Sequence, residues 1–244
     1  MVVVNVDRTN GVSVSSFSVD FFYKIPRSFV FANTSIFYRR FLRKSGLVDL
    51  TDCEYFGFGK TLLRADDNID NIANNLGIDY RNNGRIVKIN QDDSRKLVKE
   101  LDKDSFLVPV GLMYKVIIPY LKSLEEHNPS EVKNTLHEMR NYAGWLEDMV
   151  LNKTNLVVAN KNKKLTFFHE NGYFDKKDFN IYGYPKKLRK DGEFIYWAPI
   201  QDEVGLVAGF FKFGAGTRLF YFRDPKFLYS NLGMHVAKVF RKSK

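Results

Sequence analysis

A long helical pattern in the middle of the chain limits the available folds more than any other feature. The segment Asn128-Pro129-Ser130-Glu131 places an N-cap residue, a proline and a glutamate at the positions that begin a helix. Apolar residues follow at alternating spacings of four and three, which keeps them on one helical face: Val132, Leu136, Met139, Ala143, Leu146 and Val150. Residues 110–127 carry a second apolar stripe, in which Pro119 either kinks a helix or starts one. The sequence therefore predicts a helical hairpin over residues 110–151.

The residues before this hairpin alternate between strand and helix patterns. Two β-rich runs lie within residues 1–22, and residues 85–89 form a third. Capping residues and terminal glycines predict three helices, over residues 35–46, 66–77 and 92–101. In the first of these helices one apolar stripe contains Ile36, Phe37, Phe41 and Leu42. The cations lie mostly on the other side of that helix: Arg39, Arg40, Arg43 and Lys44.

After Asn152 the chain changes to short β-like runs separated by lysine-rich turns, which is an antiparallel pattern. Asp224-Pro225 then marks the start of a final helix, with apolar residues spaced along one face through Phe240. We therefore predict an α+β fold with an N-terminal α/β part, the central helical hairpin and a basic, β-rich C-terminal part closed by a helix. The predicted division is into residues 1–152 and 153–244, as two parts or as one continuous domain.

Cysteine, histidine and hydropathy patterns exclude several classes of protein. Cys53 is the single cysteine, so no intramolecular disulfide or Cys-rich zinc site can form. The four histidines have no metal-ligand spacing, and no apolar run is long enough for a membrane helix. The start MVVVNVDRTN lacks the basic and apolar regions of a signal peptide. We expect a protein of the reducing cytoplasm, without membrane contact, structural metal or cofactor.

The net charge of +10 is concentrated in the last third of the chain. Residues 1–104 hold 16 basic and 14 acidic side chains, and residues 105–152 hold 4 and 6. Residues 153–244 hold 18 basic and 8 acidic side chains, which equals the whole excess. Such asymmetry favours a surface that faces a polyanion, although lysine-rich loops also serve solubility.

The stretch EYFGFGKTLLR, residues 54–64, contains the Gly59-Lys60-Thr61 end of a phosphate-binding loop. The first glycine of that motif is replaced by Glu54, and the loop interior is aromatic, so we favour a strand that runs into a turn. A third interpretation is an aromatic platform, because Phe-Gly-Phe-Gly resembles part of the strand motif of RNA-recognition proteins.

Residues 69–88 have the apolar spacing of the first helix and turn of a helix-turn-helix element. Asn82-Asn83-Gly84 would interrupt the second helix, so we favour a helix capped by Gly77, a loop and a strand.

Three nearby carboxylates, Asp66, Asp67 and Asp70, match the ligands of a Mg²⁺-dependent nuclease. They equally match the acidic first turn of a helix, and no accompanying catalytic spacing is present.

Two C-terminal segments are the best candidates for contacting a polyanion. In a hairpin over residues 210–223 turning at Gly214-Ala215-Gly216, Lys212 faces Arg218 and Phe210 faces Phe220. Facing cations are tolerated when an anion lies between them. The loop after Tyr184 carries four cations and leads into aromatic residues. The predicted nucleic-acid-binding residues are Lys186, Lys187, Arg189, Lys190, Tyr196, Trp197, Lys212, Arg218 and Phe220.

These patterns support three hypotheses about function. The first is a non-enzymatic protein that binds DNA or RNA, including single strands, with a composition typical of phage, viral or mobile-element proteins. The second is an inhibitor or accessory factor that docks on the acidic surface of a host enzyme. The third is a divalent-metal nuclease. The first is favoured because the charge is uneven and no catalytic motif is present.

Overall fold

The computed structural model describes residues 17–82, 86–141, 143–152, 155–158, 161–164, 168, 170–198, 206–213, 216–223 and 232–242. Within these ranges the chain combines helices with mixed sheets, which confirms the predicted α+β class.

The helices of the described residues begin at polar caps or prolines, as the sequence predicts. Their bounds are α1 (Arg27–Asn33), α2 (Ile36–Lys44), α3 (Asp67–Asn75), α4 (Gln91–Leu101), α5 (Val110–Leu112), α6 (Ile118–His127) and α7 (Pro129–Asn141). Ser35, Asp66 and Asn90 accept hydrogen bonds from backbone N–H groups in the first turns of α2, α3 and α4. A π-helical turn, Met113–Ile117, connects α5 to α6.

The described strands form two sheets. Their bounds are β1 (Phe22–Pro26), β2 (Cys53–Gly59), β3 (Arg81–Asn82), β4 (Ile86–Val87), β5 (Ser105–Leu107), β6 (Ala143–Asn152), β7 (Asn155–Val158), β8 (Lys161–Lys164), β9 (Gly172–Phe174), β10 (Phe194–Trp197), β11 (Leu206–Phe213), β12 (Gly216–Arg223), β13 (Leu232–Gly233) and β14 (Val236–Arg241). The four-stranded sheet has the order β1-β2-β14-β5. The larger sheet runs β3-β4-β13-β6-β11-β12-β10-β9, with β7 beside β6 and β8 beside β7.

The prediction of a closing helix is wrong for the C-terminal residues that the structure describes. Residues 236–241 are strand β14, which pairs with β2 on one side and β5 on the other. Val236 and Ala237 point to opposite faces of the sheet and are both buried, so both faces of β14 are covered at this end. The predicted helix start at Asp224-Pro225 lies outside the described residues.

The central hairpin is correct for α6 and α7 but extends too far. Helix α7 ends at Asn141, and residues 143–152 form β6, a strand of the larger sheet between β11 and β13. Gly144 explains part of the change, since a Cβ there would lie 2.2 Å from the ring of Phe210 on the neighbouring strand. Helical spacing in this segment is overridden by sheet packing.

Pro119 starts α6 instead of kinking a longer α-helix. Proline has no backbone N–H, so an α-helical hydrogen bond from residue 119 to the carbonyl of Lys115 cannot form. The chain widens into the π-helical turn at this point. The turn leaves Lys115 half-buried, whereas its four neighbours in the turn are buried.

The two predicted parts of the chain share one core. Its buried residues include Tyr38 and Tyr114 from the first part and Phe174, Tyr184 and Phe194 from the second. The backbones of Gly111 and Gly183 meet beside Tyr38, where a Cβ on either glycine would lie within 2.8 Å of the other residue's Cα. This glycine junction fixes the inner side of α2 against the C-terminal part of the chain.

The strands β11 and β12 form the predicted hairpin, but the register differs by one residue. Phe210 pairs with Leu219 and Lys212 with Thr217, instead of Phe220 and Arg218. Strand β12 begins at Gly216, which pairs with Phe213, so Gly216 belongs to the strand and not to the predicted three-residue turn. Lys212 and Arg218 therefore do not face each other. The argument for an anion between these two cations does not hold.

Strand β2 covers most of the stretch EYFGFGK, so the strand interpretation is confirmed and the phosphate-binding loop is wrong. Phe56 and Phe58 are buried and cannot form an exposed aromatic platform. Gly77 has φ +65° after α3, and the short strand β3 follows instead of a recognition helix.

Buried His235 makes the stability of this core sensitive to acid. Its ring stacks on Phe58 with centroids 5.0 Å apart, and its burial lowers its pKa from 6.5 to about 4. The folded protein therefore resists protonation of this ring, while the unfolded chain accepts the proton below pH 6.5. Stability is full above pH 6.5 and falls as the pH drops toward 4, by about 2 kcal/mol at pH 5. Urea unfolding at pH 7.5 and 5 measures the difference.

The variant His235→Phe keeps a stacked ring without the titrating nitrogens. It should lose about 2 kcal/mol less than wild type over the same pH interval. An equal loss in both proteins would place the acid sensitivity elsewhere.

Candidate anion-binding surface on helix α2

Helix α2 presents a mixed cationic and apolar outer face. Tyr38 and Leu42 point inward and are fully buried, and the Oγ of Ser35 accepts a hydrogen bond from the N–H of Tyr38. Ile36 and Phe37 are 50% and 61% exposed, so the apolar stripe of this helix does not lie inward as a unit. Two large apolar side chains therefore stand in solvent beside the arginines of the same helix.

Four arginines surround a cavity of about 280 Å³ on one flank of α2. The cavity is lined by Arg27, Phe31, Ile36, Arg39, Arg40, Arg43, Asp49, Leu50 and Thr51. We call these residues, together with Phe37, the α2 surface. None of the four guanidinium groups forms an ion pair with a carboxylate among the residues that the structure describes. A concave site with four arginines and one carboxylate is suited to an anionic ligand.

Arg39 and Phe31 give this cavity a fixed wall. The Nη1 of Arg39 donates hydrogen bonds to the carbonyl oxygens of Thr34 and Phe31. The ring of Phe31 contacts two guanidinium groups, with its centroid 4.7 Å from that of Arg27 and 4.2 Å from that of Arg39. Partial burial and the charge of Arg27 lower the pKa of Arg39. The two cations are held near each other, which favours an anion that contacts both.

Asp49 is the one carboxylate of the cavity, and local contacts occupy it. Its Oδ1 accepts hydrogen bonds from the backbone N–H and the hydroxyl of Thr51. Partial burial opposes its ionisation, but these bonds and the charges of Arg43 and Arg241 outweigh that effect and lower its pKa. Arg241, near the C-terminus, donates to the carbonyl of Asp49, so the cationic surface continues past α2.

The other flank of α2 brings aromatic rings and a C-terminal lysine together. The rings of Phe41 and Tyr182 meet edge to face with centroids 5.1 Å apart. The Nζ of Lys163 in β8 lies 5.1 Å from the centroid of Phe41 and 4.9 Å from that of Tyr182. Cations from the last third of the chain thus reach α2, although by way of Lys163 instead of the predicted loop.

Part of the positive charge of the predicted loop after Tyr184 is paired with a buried carboxylate. Arg189 binds Asp178 through two hydrogen bonds of 2.6 and 3.0 Å, and Lys187 lies 3.4 Å from the same carboxylate. The side chain of Asp178 is inaccessible to solvent, and the hydrogen bonds from Arg189 hold its pKa far below the usual range. Removing Arg189 from a buried carboxylate costs several kcal/mol, so Arg189 is not available to phosphates. Lys186 and Lys190 are exposed.

Two of the three predicted stacking residues lie in the core. Tyr196 is fully buried and its hydroxyl meets that of Tyr184 at 3.0 Å, while Phe220 is 4% exposed against Gly209. Neither can stack on a base. Trp197 is 39% exposed, and the guanidinium of Arg218 lies 4.4 Å from its ring centroid. The structure therefore brings Trp197 and Arg218 together. Lys212 lies in β11, one strand away from Arg218.

Two of the three carboxylates considered for a metal have structural partners, and the third, Asp67, lies in the first turn of α3. Asp66 caps α3 by accepting the N–H of Ile69, and Asp70 accepts the hydroxyl of Tyr80. Across the described ranges, no group of three or more His, Cys, Asp or Glu side chains is placed to hold a metal ion.

Sequence reasoning noticed the arginines of α2 but did not select them. Residues 1–104 have an excess of only two basic side chains, because the acidic residues of α3 and α4 balance those of α2 in the count. The folded chain separates these groups in space. Counting charged residues separately for each predicted helix would have identified α2, because its nine residues carry four cations and no carboxylate.

Comparison with known proteins gives no relative for this chain. No protein-family model, curated protein or solved structure matches it. In the part of the chain that the structure describes, no helix combines the length and apolar character needed to cross a bilayer.

Proposed function

We propose that this protein binds single-stranded nucleic acid through the α2 surface. The observation that carries the proposal is the set of four arginines around one cavity, with the ring of Phe37 61% exposed beside them. Arginine guanidinium groups pair with phosphates through two parallel hydrogen bonds, and exposed aromatic rings stack on bases. The surface supplies both kinds of contact on one short helix.

A single strand suits this surface better than a duplex. Stacking on Phe37 requires a base that is free of its own partner, and single strands present such bases at no cost of unpairing. The two guanidinium groups that contact the ring of Phe31 are preorganised, so binding orders few side chains there.

C-terminal residues extend the same proposal. Lys163 reaches the flank of α2, and the exposed ring of Trp197 with the half-buried Arg218 forms a second pair of ring and cation. Exposed Lys186 and Lys190 add positive potential without being assigned a defined contact. Nucleic acid thus remains the proposed ligand, with the main contacts on α2. The cytoplasm remains the proposed location of the protein.

Replacing Phe37 with alanine tests the stacking contact. Stacking of a base on an aromatic ring contributes about 1–3 kcal/mol, so Phe37→Ala should weaken binding of a labelled single-stranded oligonucleotide about tenfold. Fluorescence anisotropy at fixed salt measures the change. The matched control is Leu76→Ala, because Leu76 is also an exposed apolar residue, 37% exposed at the end of α3. This control should bind as wild type does.

Equal affinity of Phe37→Ala and wild type would exclude base stacking on α2. Tighter binding of a duplex of the same sequence would contradict the preference for single strands.

A protein partner with an acidic surface is the second candidate. The observation that favours it is the exposure of both Ile36 and Phe37, since protein interfaces combine apolar anchors with arginine. Capture from lysate with and without nuclease treatment separates the two functions. Partners bridged by nucleic acid disappear on digestion, whereas a directly bound protein remains and is lost with Phe37→Ala.

A further inference from the structure

A second cavity, of about 480 Å³, lies between α1, the π-helical turn and the segment that follows β9. It is lined by Ala32, Asn33, Lys115, Asp175, Lys176, Lys177 and Glu193. The α2 surface shares none of these residues. Lysines are its only cations, in contrast to the arginines around the first cavity.

Lys115 is held in an unusual environment at this cavity. It occupies the π-helical turn, and its Nζ lies 5.9 Å from the ring centroids of both Tyr38 and Phe179. Burial, together with the nearby charges of Lys176 and Lys186, lowers its pKa. Lys115 and Lys176 line the same cavity, so two ammonium groups repel each other at a partly desolvated position, and the charge of Lys186, outside the lining, adds to the repulsion on Lys115.

The carboxylates at this cavity do not neutralise these lysine ammonium groups. Glu193 pairs with Lys122 at 2.9 Å, outside the cavity. Asp175 lies 3.5 Å from Arg189 and 3.8 Å from Lys177, and it accepts the N–H of Glu193. Among the described residues, Lys115, Lys176 and Lys186 form no ion pair with a carboxylate, although the Nζ of Lys176 donates to the Oδ1 of Asn33.

We propose that the cavity at Lys115 and Lys176 binds a terminal phosphate group that carries two negative charges. A dianion placed between the ammonium groups of Lys115 and Lys176 converts their repulsion into charge-assisted hydrogen bonds. Lysine suits this role because its ammonium is a point charge with three donors that adapts to phosphate oxygens. The amide of Asn33, beside Lys176, adds a polar neighbour at the rim of the cavity.

The phosphate has two possible sources with the same chemistry. One is a free molecule such as pyrophosphate, and the other is the terminal phosphate of a nucleic-acid strand. Calorimetric titration of the protein with pyrophosphate tests the first source. Anisotropy with oligonucleotides that carry a 5′-phosphate or a 5′-hydroxyl tests the second.

The variants Lys115→Gln and Lys176→Gln each remove one ammonium group. Each should weaken binding of pyrophosphate, or of the 5′-phosphorylated strand relative to the 5′-hydroxyl strand, about tenfold. Lys133→Gln, which changes an exposed lysine of α7, is the control and should have no effect. Because pyrophosphate can also bind the arginine cavity of the α2 surface, the double variant Arg40→Glu and Arg43→Glu is titrated in parallel, and it should keep the pyrophosphate binding that depends on Lys115 and Lys176.

Protection of wild-type protein provides a measurement that needs no variant. Pyrophosphate or the 5′-phosphorylated strand should slow the reaction of Lys115 and Lys176 with an amine-specific reagent, read by mass spectrometry, and should leave Lys133 unchanged. The proposal is overturned when neither probe binds saturably, or when Lys115 reacts at the same rate with and without both.

Discussion

Gly183→Ala is expected to lower the free energy of unfolding by about 3 kcal/mol. Gly183 has φ +77°, and a Cβ there would lie 2.7 Å from the ring of Tyr38 and 2.8 Å from the Cα of Gly111. The backbone of Gly111 cannot yield as the end of a flexible side chain can. The substitution therefore combines backbone strain with overpacking at the junction that joins α2 to the C-terminal part of the chain.

Gly77→Ala separates these two contributions. Gly77 has φ +65°, but nothing lies within 4 Å of the position that its Cβ would take. The control should lose only about 1 kcal/mol, the cost of the left-handed backbone for a residue with a side chain. Urea unfolding at neutral pH measures both variants. Equal losses in the two proteins would show that the glycine junction is not tightly packed.

Local signals predicted much of the secondary structure. Helices α2, α3 and α4 form at the segments predicted for them, although Ser35 and Asn90 cap α2 and α4 where other nearby residues were expected. Strands β7, β10, β11 and β12 form where β-rich runs are separated by turn residues. These elements depend on neighbouring residues, which a single sequence displays.

The failures occurred where distant partners decide the structure. Residues 143–152 and 236–241 have apolar spacing compatible with a helix, yet both are strands inside sheets. Strand β14 is stabilised by β2 and β5, which lie more than a hundred residues earlier in the chain. Local spacing carries no information about such pairing, so tertiary context overrides it.

The candidate site shows the same limit. Residue types predicted an anion-binding protein but not which cations remain on the surface. Arg189 is committed to buried Asp178, whereas the arginines of α2 are left without carboxylate partners among the described residues. That distinction depends on contacts between distant segments. The sequence also did not predict that Phe37 is exposed, because an apolar residue on a short helix more often points inward.

Charge reversal on α2 is the prediction with the largest expected effect on binding. Arg40 and Arg43 are exposed and line the arginine cavity, and neither holds a buried group in place. Arg40→Glu combined with Arg43→Glu should weaken binding of single-stranded nucleic acid about a hundredfold, because two attractive contacts become repulsive. The control, Lys99→Glu combined with Lys133→Glu, changes the net charge equally at exposed sites of α4 and α7. It should weaken binding much less.

The dependence of affinity on salt tests the central claim most directly. Each phosphate neutralised on a single strand contributes about −0.7 to the slope of log K against log salt concentration, so about five contacts give a slope of roughly −3.5. The double variant at Arg40 and Arg43 should reduce the magnitude of that slope by about 1.4, while the double variant at Lys99 and Lys133 leaves it unchanged. A slope near zero for the wild-type protein, or the same slope for all three proteins, would contradict phosphate binding by α2.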